Sequence, residues 1–214
     1  NPQSTLTNPP IGYIVGGGLK ENLRARLTIP AREVQEGAFV VVEDGEWFYY
    51  GLVTDLQLGA TDPRFADEQS EKRLPESLAA LLHGQTLYTN LEILPALMVH
   101  SPLIGEPLYD HPVPIKTVPA HHAEVRMASK GDIAEIFGDP EKKGNFIIGH
   151  TREQGHPVCI DLDKLVQRSS GVFGATGTGK SFLTRIILAG LIHSDVAGAL
   201  ILDMHNEYGP DVND

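Results

Sequence analysis

Cysteine is nearly absent: Cys159 is the only one in 214 residues. No internal disulfide is possible, so the chain carries no mark of an oxidising compartment, and a buried, inert thiol is expected. Long apolar runs are missing too. No stretch approaches the length of a transmembrane helix, and Asn1-Pro2-Gln3-Ser4-Thr5 has neither the charged nor the apolar region of a signal peptide. The expectation is a cytoplasmic protein with no membrane partner. Basic charge is scarce: 17 Lys+Arg against 28 Asp+Glu give a net charge of −11. That balance repels a nucleic-acid backbone on average, and no basic patch relieves it. Contacts with DNA would have to come from a local surface, an assembled channel or sequence beyond Asp214. Catalytic and metal signatures are also few. No serine, histidine and carboxylate have the spacing of a triad. His150, His156 and Cys159 lack a fourth ligand at convincing spacing, so both histidines read as turn or surface residues.

What is present is a phosphate-binding loop. Gly174-Ala175-Thr176-Gly177-Thr178-Gly179-Lys180-Ser181 has the spacing G-x-x-x-x-G-K-S. A triphosphate brings several negative charges into a narrow site, and glycines let the backbone curl until successive N–H groups face the phosphate oxygens. Lys180 opens a helix, where its ammonium reaches the β- and γ-phosphates and the positive end of the helix dipole adds to the attraction. Ser181 offers its hydroxyl to Mg²⁺, and Phe182 follows as the last residue of the binding stretch. The flanks suit the motif. Val172-Phe173 reads as a short strand before it, and Leu183, Ile186, Ile187, Leu191 and Ile192 recur at helical spacing from Ser181 to His193. Ala199-Leu200-Ile201-Leu202 is continuously apolar, as in a parallel strand buried on both faces. Asp203 and Glu207 leave the carboxyl end of that run, where function is expected. Glu207 is placed to orient an attacking water and Asp203 to brace the magnesium shell, against the alternative of a polar turn.

The first half of the chain has period two. Leu23, Ala25, Leu27 and Ile29 fall on one face of a strand, with Arg24 and Arg26 on the other. Gly16-Gly17-Gly18 reads as a turn or bulge; a phosphate cradle there lacks a following lysine or helix start. Ala38–Val42 and Glu46–Tyr50 form a hairpin around Asp44-Gly45, and Leu52–Leu58 continues the strand pattern. Trp47, Phe48, Tyr49 and Tyr50 offer either a stacking platform for bases or core and cross-strand pairs, and the acidic balance favours the core. Thr61–Arg73 is a polar surface excursion, Pro75–Leu82 a short helix, Gln85–Leu94 a strand, and Ala96–His100 a run that closes the sheet. These short strands with turns between them predict a small barrel over residues 1–110. Pro107, Pro112, Pro114 and Pro119 then hold the chain extended, so 111–144 reads as a linker with one short helix at Asp132–Phe137. From 145 to 214 a second domain begins, with strands at Phe146–Ile148 and Val158–Ile160. The fold class is therefore β + α/β: a small N-terminal antiparallel β-barrel followed by the beginning of a RecA-like P-loop α/β domain. Such a sheet needs about five strands, so a longer natural protein is expected.

These residues resemble the HerA-like ATPases of the FtsK–HerA superfamily, hexameric DNA translocases. The resemblance rests on the barrel, on the loop Gly174–Ser181, and above all on Ile201-Leu202-Asp203-Met204-His205-Asn206-Glu207-Tyr208-Gly209, similar to the family's Asp-x-His-x-Glu-Tyr signature. Ile148-Gly149-His150-Thr151 also looks like the family's entry to the ATPase domain. The resemblance implies that Arg168 is an arginine near the nucleotide, that Lys180, Asp203 and Glu207 are catalytic-site residues, and that ATP and Mg²⁺ are the cofactors. It also implies a homo-hexamer, DNA held in the assembled ring, and a nuclease or other effector docked on the barrel. The family's magnesium aspartate with its catalytic glutamate, its arginine finger and its DNA-contacting loops correspond to no residue of this sequence. The alternative is a non-motor assembly module in which nucleotide is structural and the acidic barrel binds a partner protein. A small phosphotransferase is a third reading, weakened by the lack of room for a lid or acceptor site.

Overall fold

A computed structural model describes residues 8–60, 87–109, 111–204 and 208. It divides into two compact units, one of residues 1–129 with 152–154 and the other of residues 130–151 with 155–214.

Among the described residues the first unit has seven strands: β1 (Pro10–Gly16), β2 (Leu23–Leu27), β3 (Phe39–Asp44), β4 (Trp47–Ala60), β5 (Leu87–His100), β6 (Val113–Pro114) and β7 (Glu124–Met127). Their order is β2-β1-β7-β3-β4-β5, and β2 pairs again with β5. That second pairing closes six strands into an antiparallel barrel and removes the open edges that an isolated sheet exposes. Along β5, residues 90–93 pair with β2, while Leu97 and Met98 pair with the short β6.

The period-two pattern does what it predicts. Leu23, Ala25 and Leu27 are buried while Arg24 faces solvent. The barrel is filled by Ile11, Ile14, Leu23, Ala25, Val40, Val42, Val53, Leu91, Ile93 and Val125, all nearly or fully excluded from water. Tyr49 joins this core and Trp47 packs against it, so the core reading of the aromatic run holds for both. The Trp47 ring also meets that of His100, its cross-strand partner, at a tilt of 53° with centroids 4.5 Å apart. A second row lies on the opposite face of β3: Val41 pairs with Tyr50 and with Arg126, and all three are buried.

Several boundaries differ from the sequence expectation. The barrel sheet extends past residue 110, because β6 and β7 come from the segment read as linker and β7 sits between β1 and β3. The prolines there concealed a strand whose only sequence signal is the four-residue alternation of Glu124–Met127. Gln85–Leu94 and Ala96–His100 belong to one strand. Pro95 is tolerated within it because the register with β4 shifts between Tyr50 and Gly51, opposite the proline. The β3–β4 turn is centred on Gly45-Glu46, with Asp44 paired to Trp47. The triple glycine is a bulge and turn, with a register shift between Ile14 and Gly16. The surface excursion at 61–73 and the helix at 75–82 lie outside the described residues.

The second unit begins with α1 (Lys130–Phe137), followed by the antiparallel pair β8 (Asn145–His150) and β9 (Pro157–Asp161), then α2 (Leu162–Val166) and α3 (Lys180–His193). α1 packs against β9. Ile133, Cys159 and Leu162 are its buried apolar residues. The helix expected at Ser181–His193 forms in full. The runs Val172-Phe173 and Ala199–Leu202, expected as strands, take no strand pairing, and Phe173, Leu200 and Leu202 are 92%, 89% and 87% exposed. A parallel strand holds only between neighbours that bond both its edges and cover both its faces, and among the described residues nothing does so for these two runs.

Candidate functional site

The approach to the loop is set by α2. Asp161 caps it, its Oδ1 accepting from the Lys164 N–H at 3.0 Å. The chain leaves α2 through Arg168, which is exposed, and runs without regular structure to Gly179. α3 then starts directly after the loop. Gly179 is its N-cap at φ 89 and ψ 15, in the left-handed region, and its carbonyl accepts the first helical bond from Leu183 N–H at 2.9 Å. Gly177 is also left-handed, at φ 84. A side chain would strain both positions, which accounts for glycine at each.

Between them the loop folds on one carbonyl. The Ala175 oxygen accepts from the Thr178 hydroxyl at 2.7 Å and from the Lys180 ammonium at 2.9 Å. The Thr178 N–H also points to it, at 3.3 Å. Ala175 to Thr178 is thus a tight turn with a left-handed glycine at its third position, the arrangement of a type II turn. Gly174 leaves room for it: a Cβ built there would lie 2.6 Å from Thr178 Oγ1 and 3.3 Å from Lys180 Cγ. Gly174 to Gly179 are exposed, while Lys180 and Ser181 are half-buried in the first turn of α3. Lys180 is the only charged side chain from Gly171 to Phe182. Positive-φ glycines, consecutive N–H groups, a helix N-terminus and one lysine without a nearby acid in the sequence form a donor set that fits a polyphosphate. Ser181 supplies the oxygen a magnesium ion would use.

The other expected residues are less gathered. Phe182 is 68% exposed. The guanidinium of Arg168 makes no hydrogen bond or ion pair among the described residues. Asp203 is half-buried, and its Oδ2 accepts from the Tyr208 N–H at 2.8 Å. Glu207 lies outside the described residues. Cys159 is buried in the second unit, where burial and then the Asp139 carboxylate push its thiol above its ordinary pKa. That disfavours the thiolate on which nucleophilic reactivity depends. Two features escaped the sequence reading. One is the convergence of Thr178 and Lys180 on Ala175 O, for which a hydroxyl three residues after a loop carbonyl is the only sequence signal. The other is Gly190, a glycine inside α3 that packs against Phe146.

Two comparisons with known proteins bear on the site. Residues 146–212 match the family described as Helicase HerA, central domain. Over 128 residues the chain is 27% identical to the DNA double-strand break repair helicase HerA of Pyrococcus furiosus, covering 59% of this chain and 22% of that protein. The chain therefore spans about a fifth of the length of this curated relative.

Proposed function

We propose, starting from a chain that is HerA-like and of the FtsK–HerA superfamily, that it carries the barrel and the phosphate loop of an ATP-driven DNA translocase. The observation that supports this most is the loop itself: a G-x-x-x-x-G-K-S turn with left-handed Gly177 and Gly179 opening α3, inside the segment similar to the HerA central domain. ATP and Mg²⁺ are its cofactors in this reading. The N–H groups of 176–180 hold the phosphates, Lys180 neutralises charge on the β- and γ-phosphates, and Ser181 contributes a hydroxyl to the metal shell. A bound Mg²⁺ would offset charge on the transferring phosphoryl group. Asp203, Glu207 and Arg168 serve the same site, with Glu207 orienting the attacking water.

Protomers assemble into a ring, by analogy a hexamer, working in the cytoplasm. DNA is threaded through the ring and a nuclease or other effector sits on the barrel. Among the described residues no helix is long and apolar enough to cross a membrane, which is silent on strands. The acidic sequence, at −11, agrees with DNA contacts that come from an assembled channel rather than from this surface.

The test is the ATPase rate of the full-length protein with and without double-stranded DNA, with Lys180→Ala as the blank. Stimulation by DNA that vanishes in the variant supports the motor. A rate indifferent to DNA overturns translocation. Nucleotide binding without turnover favours the assembly module, in which the acidic barrel is the working surface.

A further inference from the structure

The Ala175 carbonyl has two lone pairs and three candidate donors. The Thr178 hydroxyl stands at 2.7 Å and the Lys180 ammonium at 2.9 Å, both ordinary hydrogen-bond lengths. The Thr178 N–H is at 3.3 Å, at the long limit. The two side chains make the shorter bonds, and the Thr178 N–H makes a third, longer one to the same oxygen. In a turn lacking the hydroxyl, that N–H alone of the Thr178 donors would be left to close the turn.

We propose that Thr178 is a positioning residue of the phosphate site: its hydroxyl clasps the Ala175 carbonyl with the shorter bond and holds the turn closed, so that the longer Thr178 N–H bond can be exchanged for one to an incoming phosphate. The clasp also sets the lysine. With the carbonyl fixed by the hydroxyl, the second lone pair anchors the Lys180 ammonium at the mouth of the loop. Gly174 belongs to the same device, since the space its missing side chain leaves is taken by Thr178 Oγ1 and the Lys180 stem. Valine has the shape of threonine without the donor, whereas serine keeps the donor and loses only a methyl group. The inference rests on the nucleotide reading of the loop, so its test must separate the two.

ATP with Mg²⁺ is the probe, titrated into the full-length protein and its Thr178→Val, Thr178→Ser and Lys180→Ala variants. Thr178→Val is expected to weaken binding about three- to tenfold, the effect of losing one neutral hydrogen bond with its geometry. Thr178→Ser should return affinity to within about twofold of the parent, a rescue that a mere packing role for the methyl group would not give. Should the valine variant fold poorly, Thr178→Ala, which removes the hydroxyl without adding bulk to an exposed loop, is expected to show the same loss. Parental affinity in Thr178→Val, or serine binding as weakly as valine, overturns the clasp while a weakened Lys180→Ala leaves the nucleotide site standing. Parental affinity in Lys180→Ala overturns both.

Discussion

Glu43 on β3 and Arg126 on β7 form an ion pair along the barrel wall, the arginine Nε donating to the glutamate Oε1. They are diagonal neighbours, since Glu43 pairs with Glu124 and Val41 with Arg126. The Arg126 side chain is 6% exposed and that of Glu43 33%. The cation is therefore far more buried than its partner, and losing the carboxylate takes away the opposite charge beside it. Glu43→Gln is expected to lower stability by about 2–3 kcal/mol, less than for a fully buried pair because Glu43 keeps contact with water. Glu43→Leu combined with Arg126→Met should regain most of the loss, and denaturant melts of the single and double variants check both statements.

Gly190 packs against the Phe146 ring, and a Cβ at 190 would come within 2.7 Å of its Cδ1. Helix propensity alone makes Gly190→Ala favourable by about 1 kcal/mol. Overpacking against the ring costs more, and a net loss of about 1–2 kcal/mol is expected. Phe146→Leu should remove the clash, so that alanine at 190 stabilises in that background. Thermal unfolding of the four combinations gives the sign directly.

Lys180→Ala is expected to weaken ATP binding about 10- to 100-fold, from about 1.5–3 kcal/mol for a charge-assisted hydrogen bond. Hydrolysis should fall further, because the same ammonium stabilises charge in phosphoryl transfer. Unchanged affinity in a folded variant would mean that the loop is not the nucleotide site. Calorimetric titration with ATP and Mg²⁺ measures it.

Glu92 titrates above its ordinary value, because burial disfavours its charged form and Asp55 adds to this, with Arg24 opposing. A raised carboxyl pKa means that the folded state binds the proton more tightly than the unfolded state. The stability tied to that proton is complete below the ordinary glutamate range, about pH 4, and is lost as pH rises through the folded value. Glu92→Gln, which cannot ionise, is expected to match the parent near pH 4 and to exceed it in stability at neutral pH. Urea midpoints from pH 4 to 7 test this, and a parent that gains on the variant as pH rises would refute the sign.

The glycine turn and α3 were legible because their residues follow from local chemistry: glycine suits φ 84 and 89 at 177 and 179, and apolar residues at helical spacing follow. The barrel interior was legible for a similar reason, since period two at Leu23, Ala25 and Leu27 maps directly onto one face. The extent of the barrel was not, because β7 is four residues long and is held by partners remote in sequence, β1 and β3. The unpaired state of Ala199–Leu202 was equally hidden. An apolar run has strand propensity, but pairing is supplied by neighbours that the run does not encode. Thr178 was recognised as a loop residue, yet the direction of its hydroxyl is a property of the folded turn.

The β1–β7 pairing joins Pro10 to Arg126. During synthesis, at about 5–20 residues per second, β1 waits roughly 6–20 s for this partner to be made. Until then one side of an apolar strand is open to any other nascent chain, and a contact this distant in sequence is slow to close once it can form. The closed wall that leaves the finished barrel without edges thus makes the unfinished one dependent on its last strand. A chain halted before Glu124 would lack the strand that lies between β1 and β3, and would leave the facing edges of both open to aggregation.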